Sequence, residues 1–211
     1  MCQGNGEVTA AHPFCVILQK DRLYFKGTDR AVFLDKREFT GPIYTQIKEV
    51  VDFVLRNIRL GATIDGLVRK EKYELPPEAI REMIINAHCH RNLLDESCIQ
   101  VAVYDDRLEV TSPDGLYNGL TYEEVMNGHS KIRNKGIANI FSQMGLVEAW
   151  GSGIKRILNA AEEYGLSKPR FQEFDNMFRV ELFRSSFPMT YEKENIGEAS
   201  EVVWRTDLND T

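Results

Sequence analysis

Residues 98–111, CIQVAVYDDRLEVT, constrain the fold of this chain more than any other stretch. Apolar residues alternate up to Asp105–Asp106 and again after it, the pattern of a β-hairpin with Ile99, Val101 and Val103 on one face. A hairpin requires antiparallel neighbours. RFQEF and MFRVELF, around Asp175–Asn176, predict a second one. Elsewhere apolar residues recur at helical intervals. Ile43, Ile47, Val50, Val51, Val54, Leu55 and Ile58 form one stripe. Ile137, Ile140, Phe141 and Met144 form another, closed by Gly145, and Ile154, Ile157, Leu158 and Ala161 a third, closed by Gly165. Helices interleaved with antiparallel strands predict an α+β two-layer sandwich, a mixed sheet with helices on one face.

The remaining segments fit that frame. FCVILQ, RLYFK and VFL read as short strands, ATIDGLVRK as a strand interrupted at Gly66, and SPDGLYNG as a loop. With 211 residues the chain can bury a sizeable core, and 43% hydrophobic and 27% charged residues are ordinary for a soluble protein. No apolar run approaches the roughly 18 residues of a membrane span, and the N-terminus lacks the pattern of a signal peptide. The expected location is the cytoplasm, with no membrane partner. Four cysteines without a CxxC pair read as reduced thiols. A net charge of −6 argues against a dedicated nucleic-acid binder. From Glu192 to Thr211 six acids and two bases give −4, leaving −2 for the rest. Three segments are therefore expected: a lead-in over 1–24, a domain over 25–185, and an acidic tail without fixed structure over 186–211.

Within that domain REMIINAHCHRN (81–92) raises a chemical question. Pro76 and Pro77 mark the entry to a helix on which Ile80, Met83, Ile84 and Ala87 form an apolar arc. Glu82 and Asn86 lie about 40° apart toward the other side, as i and i+4 neighbours. A carboxylate so placed can polarise a water, and an amide oxygen can hold a divalent ion that grips phosphates. The bland alternative is a solvated helix face. If the chemical reading holds, the helix spans 76–91, packs on a sheet containing Ile99–Tyr104, and presents both side chains to a cavity. His88 and His90 would point about 200° apart on a helix and could not share one metal ion, although His90 sits beside Asn86.

Two further stretches bear on anion binding. Gly151-Ser152-Gly153 opens the third helix, and glycines at a helix start allow close approach to a phosphate. A glycine turn joining two helices serves as well. In NGHSKIRNKGIANIF (127–141), Ser130, Lys131, Arg133 and Asn134 crowd a loop ahead of a helix. The loop could clasp an anion or form a lid, or be a polar connection with Asn134 as helix cap.

Taken in order, YFKGTDRAVFLDKREFTGPI, LPPEAIREMIINAHCHRN, VAVYDDRLEVTSPDGL, GLTYEEVMNGHSKIRNKGIANIFSQMGLVEAWGSGIKRIL and FRVELF resemble one family, over roughly Phe25 to Phe183. They resemble the C-terminal region of the RecG-related transcriptional regulators, which carry an AlbA-type (Schlafen-like) domain in front. That region is similar to the GHKL (Bergerat-type) nucleotide-binding fold. The resemblance implies an N-box at Glu82-Met-Ile-Ile-Asn86, with Glu82 as the catalytic base that activates water and Asn86 as the magnesium ligand. It implies ATP and Mg2+ as cofactors, Gly151, Ser152 and Gly153 as a glycine box, and Ser130, Lys131, Arg133 and Asn134 in the lid. Where GHKL ATPases carry Asp-x-Gly-x-Gly to read adenine, this chain has SPDGLYNG, so Asp114 and Gly115 match only part of that motif. The AlbA-type domain is not seen in this chain, which the resemblance implies is a piece of a longer protein or a reduced relative.

Two functions follow as expectations. In the first the chain is an ATP-binding regulatory domain of a transcriptional regulator, at most a slow magnesium-dependent ATPase and not a helicase motor. DNA is then reached only through another domain. In the second the fold is a non-catalytic interaction module, with a second copy of the chain as a partner and no nucleotide.

Overall fold

The computed structural model describes residues 14–18, 35–65, 68–146, 153–185 and 203–204. Strand β1 (Phe14–Leu18) pairs antiparallel with β2 (Asp35–Phe39). The strands expected at RLYFK and VFL lie outside the described residues. Helix α1 (Ile43–Asn57) starts after the Gly41-Pro42 break, where Gly41 takes φ +98. Its expected stripe points inward, and Phe53 joins it through an edge-on contact with Phe39, ring centroids 5.8 Å apart.

The stretch ATIDGLVRK folds as two strands rather than one. β3 (Leu60–Asp65) and β4 (Val68–Tyr73) pair antiparallel from Leu60↔Tyr73 to Asp65↔Val68, so the chain doubles back across the Gly66 interruption. Helix α2 (Pro77–His90) follows, then β5 (Ile99–Val103) and β6 (Arg107–Pro113), the hairpin expected around Asp105–Asp106. Ser112 and Pro113 of the expected loop belong to β6, and a short 3-10 turn occupies Tyr117–Gly119.

Helix α3 (Tyr122–Met126) is too short to show apolar periodicity, but it carries a capping box. The Glu124 amide donates to Thr121 Oγ1 at 3.2 Å, and the Thr121 amide donates to Glu124 Oε2 at 2.8 Å. Helices α4 (Lys135–Gln143) and α5 (Gly153–Glu163) end as expected in left-handed glycines, Gly145 at φ +68 and Gly165 at φ +66. In each, the amide after the glycine reaches back five residues, Leu146 to Phe141 O and Leu166 to Ala161 O. The buried face of α4 differs from expectation. Ala138 and Phe141 point inward, while Ile140 and Met144 are 56% and 46% exposed. A three-residue step selects the inner pair and a four-residue step the outer one.

β7 (Arg170–Phe174) and β8 (Met177–Phe183) form the second hairpin, with Asp175 and Asn176 both at positive φ, as a two-residue turn of this type demands. β9 (Val203–Trp204), from the tail expected to lack structure, pairs with β3. The main sheet runs β2-β1-β5-β6-β8-β7, and a smaller one runs β4-β3-β9. β1 is parallel to β5 and every other pairing in the main sheet is antiparallel, so the sheet is mixed. It also begins inside residues 1–24, the segment read as a lead-in.

One face of the sheet carries Val101, Val110, Val180 and Phe171 in a continuous row, packed in one core with the apolar residues of α1, α2, α4 and α5. The other face carries a charge ladder. Glu109 and Glu181 stand directly opposite each other, an arrangement that repels unless cations intervene. Arg107 Nε lies 2.8 Å from Glu109 and 3.7 Å from Glu181, Arg179 lies 3.6 Å from Glu109, and Arg170 pairs with Glu181. The chain is thus an α+β two-layer sandwich.

Helix α2 is the centre of the molecule. Ala79, Ile80, Glu82, Met83, Ile84, Ile85, Ala87, His88 and Cys89 are all buried, so it is enclosed nearly all round. Ile84→Ala is expected to lower unfolding free energy by about 2–5 kcal/mol in urea melts, a large part of the ~5–15 kcal/mol typical of a domain. A loss within experimental error would show that Ile84 does not pack as described.

Candidate functional site

The sequence left open whether Glu82 faces solvent, and the packing of α5 on α2 decides it. Glu82 is only 5% exposed. Gly153 explains how two helices can meet over a polar pair. A Cβ at Gly153 would stand 2.5 Å from Glu82 Oε1 and 2.6 Å from Asn86 Nδ2, closer than real side chains pack. Helix α5 therefore opens with a residue that lets its backbone rest on both groups.

These residues border a cavity of about 120 Å3. Its floor is the sheet, through Val110, Ser112, Phe171, Phe178 and Val180. Its walls are α2, through Glu82, Met83, Asn86 and His90, and α5, through Gly153, Ile154 and Ile157. Two loops form the rim, one bringing Asp114, Gly115, Leu116 and Tyr117 and the other His129, Ser130, Lys131 and Ile132. The lining joins apolar and aromatic side chains with an acid, an amide and the start of α5.

Burial pushes the Glu82 carboxyl above its ordinary range, opposed by the Arg156 and Arg81 guanidiniums and by a hydrogen bond with Asn86. Arg156 Nη1 sits 3.7 Å from Glu82 Oε2. Arg156 was not singled out in the sequence, although it falls one turn after Gly153 and so shares its side of α5. Replacing Arg156 by methionine should raise the Glu82 titration further, because a buried carboxylate would lose its nearest cation. The 13C shift of the Glu82 δ-carbon against pH checks this. An unchanged midpoint would remove Arg156 from the site.

The His-Cys-His run divides as helix geometry requires. Burial lowers His88 to about 3, with the Arg91 charge adding to the shift. Burial also lowers His90 to about 4, helped by Arg133, so His90 lines the cavity as a neutral ring at pH 7. Burial raises the Cys89 thiol to about 12, which leaves it unreactive.

The rim residues have partners within the protein. Arg133 Nη1 lies 2.6 Å from Asp114 Oδ2, and its guanidinium stacks 4.6 Å over the Tyr117 ring. Lys131 Nζ donates to Asn118 O at 3.0 Å. Asn134 occupies the N-cap position of α4, but its side chain does not cap. Its Nδ2 donates instead to His88 O and Arg91 O at the end of α2, and its backbone amide donates to Cys89 O. Glu173 on β7, unremarked in the sequence, accepts from the Leu116 amide at 2.9 Å. A Cβ on Gly115 would collide with that carboxylate. Of the expected site residues, Glu82, Asn86, Asp114, Gly115, Ser130, Lys131 and Gly153 line the cavity. Arg133 and Asn134 are not part of its lining, and Gly151 and Ser152 lie outside the described residues.

Among the described residues no group of three or more His, Cys, Asp or Glu is placed to hold a metal ion. Magnesium does not need one, since it commonly takes one or two protein oxygens and completes its shell with water and substrate phosphates. The Asn86 amide oxygen at the cavity fits that role. Among the same residues no helix is long and apolar enough to cross a membrane.

No curated protein matches the chain by sequence. Among solved structures, the crystal structure of the DIP2311 protein from Corynebacterium diphtheriae is similar, with a TM-score of 0.70 and 22% identity. The match covers 83% of this chain and 35% of that one, so the chain spans about a third of that protein's length. This likeness is one of fold. Residues 96–182 match a family model described as "Putative ATP-dependent DNA helicase recG C-terminal". That span holds the cavity floor, both rim loops and α5, and it begins after Glu82 and Asn86. Over those residues the chain is similar to an ATPase-type domain of the RecG C-terminal kind.

Proposed function

We propose that this chain is a nucleotide-binding regulatory domain that takes magnesium ATP between α2, α5 and the sheet and hydrolyses it slowly or not at all. One observation carries the reading. A buried acid and an amide sit side by side under a helix start, in a cavity also lined by aromatic and apolar side chains of the sheet. The family description, which names an ATP-dependent protein, supports it.

Each part has a physical role. Val110, Phe171, Phe178 and Ile157 offer apolar surface to a base. The first amides of α5, which have no partners within the helix, favour negative charge near Gly153. Asn86 would hold the magnesium, which supplies charge neutralisation to the phosphates. Glu82, when ionised, would accept the proton of an attacking water, with Arg156 keeping it charged and Asn86 fixing its orientation. A role in transcriptional regulation fits a domain that passes its ligand state to DNA-binding parts elsewhere, as the sequence resemblance implies.

The rim favours a second reading. Arg133 and Lys131, the cations of the loop before α4, are engaged by Asp114 and the Asn118 carbonyl. That would suit an interaction module, pairing with a second copy, that has dispensed with nucleotide. Calorimetric titration of the full chain with ATP and magnesium separates the two. Saturable heat that disappears with EDTA is the expected result, and no heat at millimolar nucleotide would leave the module reading in its place.

A further inference from the structure

Glu82, Asn86 and His90 stand in successive turns of α2, each four residues from the next, and all of them line the cavity. The sequence resemblance gives the first two a role and His90 none. Side chains four apart on a helix have Cβ atoms roughly 5–6 Å from each other, close enough to share one ion. A pair at that spacing on one helix holds zinc in the HExxH motif.

The donors at Asn86 and His90 suit such sharing. Asn86 hydrogen-bonds the Glu82 carboxylate and helps to keep it charged, so its amide nitrogen donates there. The Asn86 oxygen is then the atom left for a cation. Among the described residues the His90 ring makes no hydrogen bond. His88 is enclosed in the core, but His90 is only half-buried and borders the cavity. A polar ring left there without a partner costs solvation that a bound ligand would restore. The surroundings admit a positive ion. Glu82 carries negative charge on the same wall. Arg133, whose charge reaches His90, is paired with Asp114 at 2.6 Å and so opposes a cation little.

We propose that Asn86 Oδ1 and a ring nitrogen of His90 hold one divalent ion together, and that the nitrogen makes this ion manganese in preference to magnesium. The inference rests on the nucleotide reading above and names the metal that reading takes. Magnesium is a hard ion that binds oxygen and gives up its waters reluctantly. Imidazole suits the first-row transition metals, of which manganese also accepts amide, water and phosphate oxygens. Two protein ligands leave its other positions to water and phosphate. Magnesium binds through Asn86 alone, and more weakly.

The experiment uses the full chain with ATP and Mn2+. Pulsed electron paramagnetic resonance detects nitrogen bound directly to manganese, and calorimetry gives the ATP affinity with each metal. The parent should show an imidazole coupling that changes on 15N-histidine labelling and vanishes in His90→Gln. It should persist in His129→Gln, which removes the other histidine of the lining. ATP should bind at least ~10-fold tighter with Mn2+ than with Mg2+, the scale on which groups around a metal alter its affinity, and His90→Gln should lose most of that preference. If His90→Gln fails to fold, the labelled His129→Gln chain carries the test, since His90 is then the histidine left on the cavity wall. No nitrogen coupling with manganese and ATP bound would overturn the proposal, as would a coupling that survives His90→Gln. Equal affinities with the two metals would overturn the preference. If no nucleotide binds with either metal, Mn2+ alone is the probe. A coupling lost in His90→Gln would then keep the metal site and remove the nucleotide reading, and no coupling would remove both.

Discussion

Glu82→Gln should reduce ATP hydrolysis by about 10²–10⁴-fold, the usual loss on removing a general base, and leave magnesium ATP binding within a few-fold of the parent. Asn86→Ala should do the reverse. It should weaken binding in magnesium by at least the ~10-fold that losing even an outer partner of a metal costs, and change little in EDTA. Turnover measured beside calorimetry separates the two roles. Equal loss of binding in both variants would mean the pair is only structural.

Glu82→Gln also has a consequence for stability, and its sign is fixed. Burial raises the carboxyl above 4.5, so the folded protein holds this proton more tightly than the unfolded chain. The contribution is favourable below 4.5 and is lost as pH rises through the raised value. A glutamine does not titrate. The variant should therefore gain thermal stability over the parent between pH 4.5 and neutrality, with no further change in the difference at lower pH. Gaining stability while losing activity is common where an acid is held in a buried site. A variant that melts below the parent at pH 7 would mean the ionised carboxylate stabilises the fold.

Gly153→Ala should have the second largest effect, and one confined to the site. The added carbon meets the ends of the Glu82 and Asn86 side chains, at 2.5 and 2.6 Å, and these can swing aside more readily than backbone. Folding should survive. The acid and the amide would lie about an ångström out of place, a misplacement that can cost about 10²-fold in function. Circular dichroism and melting temperature near those of the parent, with ATP binding lost, form the expected pattern. Retained affinity would show that Glu82 and Asn86 do not act where they stand.

What could be read from the sequence follows from the range of each interaction. The Glu82–Asn86 pair was legible because an i, i+4 spacing fixes its geometry on any helix. Its burial was not, because α5 covers it from some seventy positions away and only a contact with Gly153 reveals it. For the same reason Arg156 passed unnoticed. The hairpins at Asp105–Asp106 and Asp175–Asn176 were plain, being local. The parallel pairing of β1 with β5 joins Phe14 to Ile99, and no local pattern signals it. The short α3 could have been found from Thr121 and Glu124, since a capping box marks a helix start even where five residues are too few for periodicity. Lys131 and Arg133 were legible as cations of a loop able to clasp an anion, but residue type says nothing of the partner each has chosen.

The enclosure of α2 bears on how a ligand for this protein could be found. A compound that touches Glu82 and Asn86 binds the element with the least freedom to open on its own, so its binding energy opposes global unfolding rather than a local fluctuation. At 100 times its dissociation constant such a compound adds about 2.7 kcal/mol, which in a chain of this size moves the melting point by about 5–10 °C. A plain melting screen of nucleotides and their fragments, with no assay of activity, would therefore report binding to the folded chain.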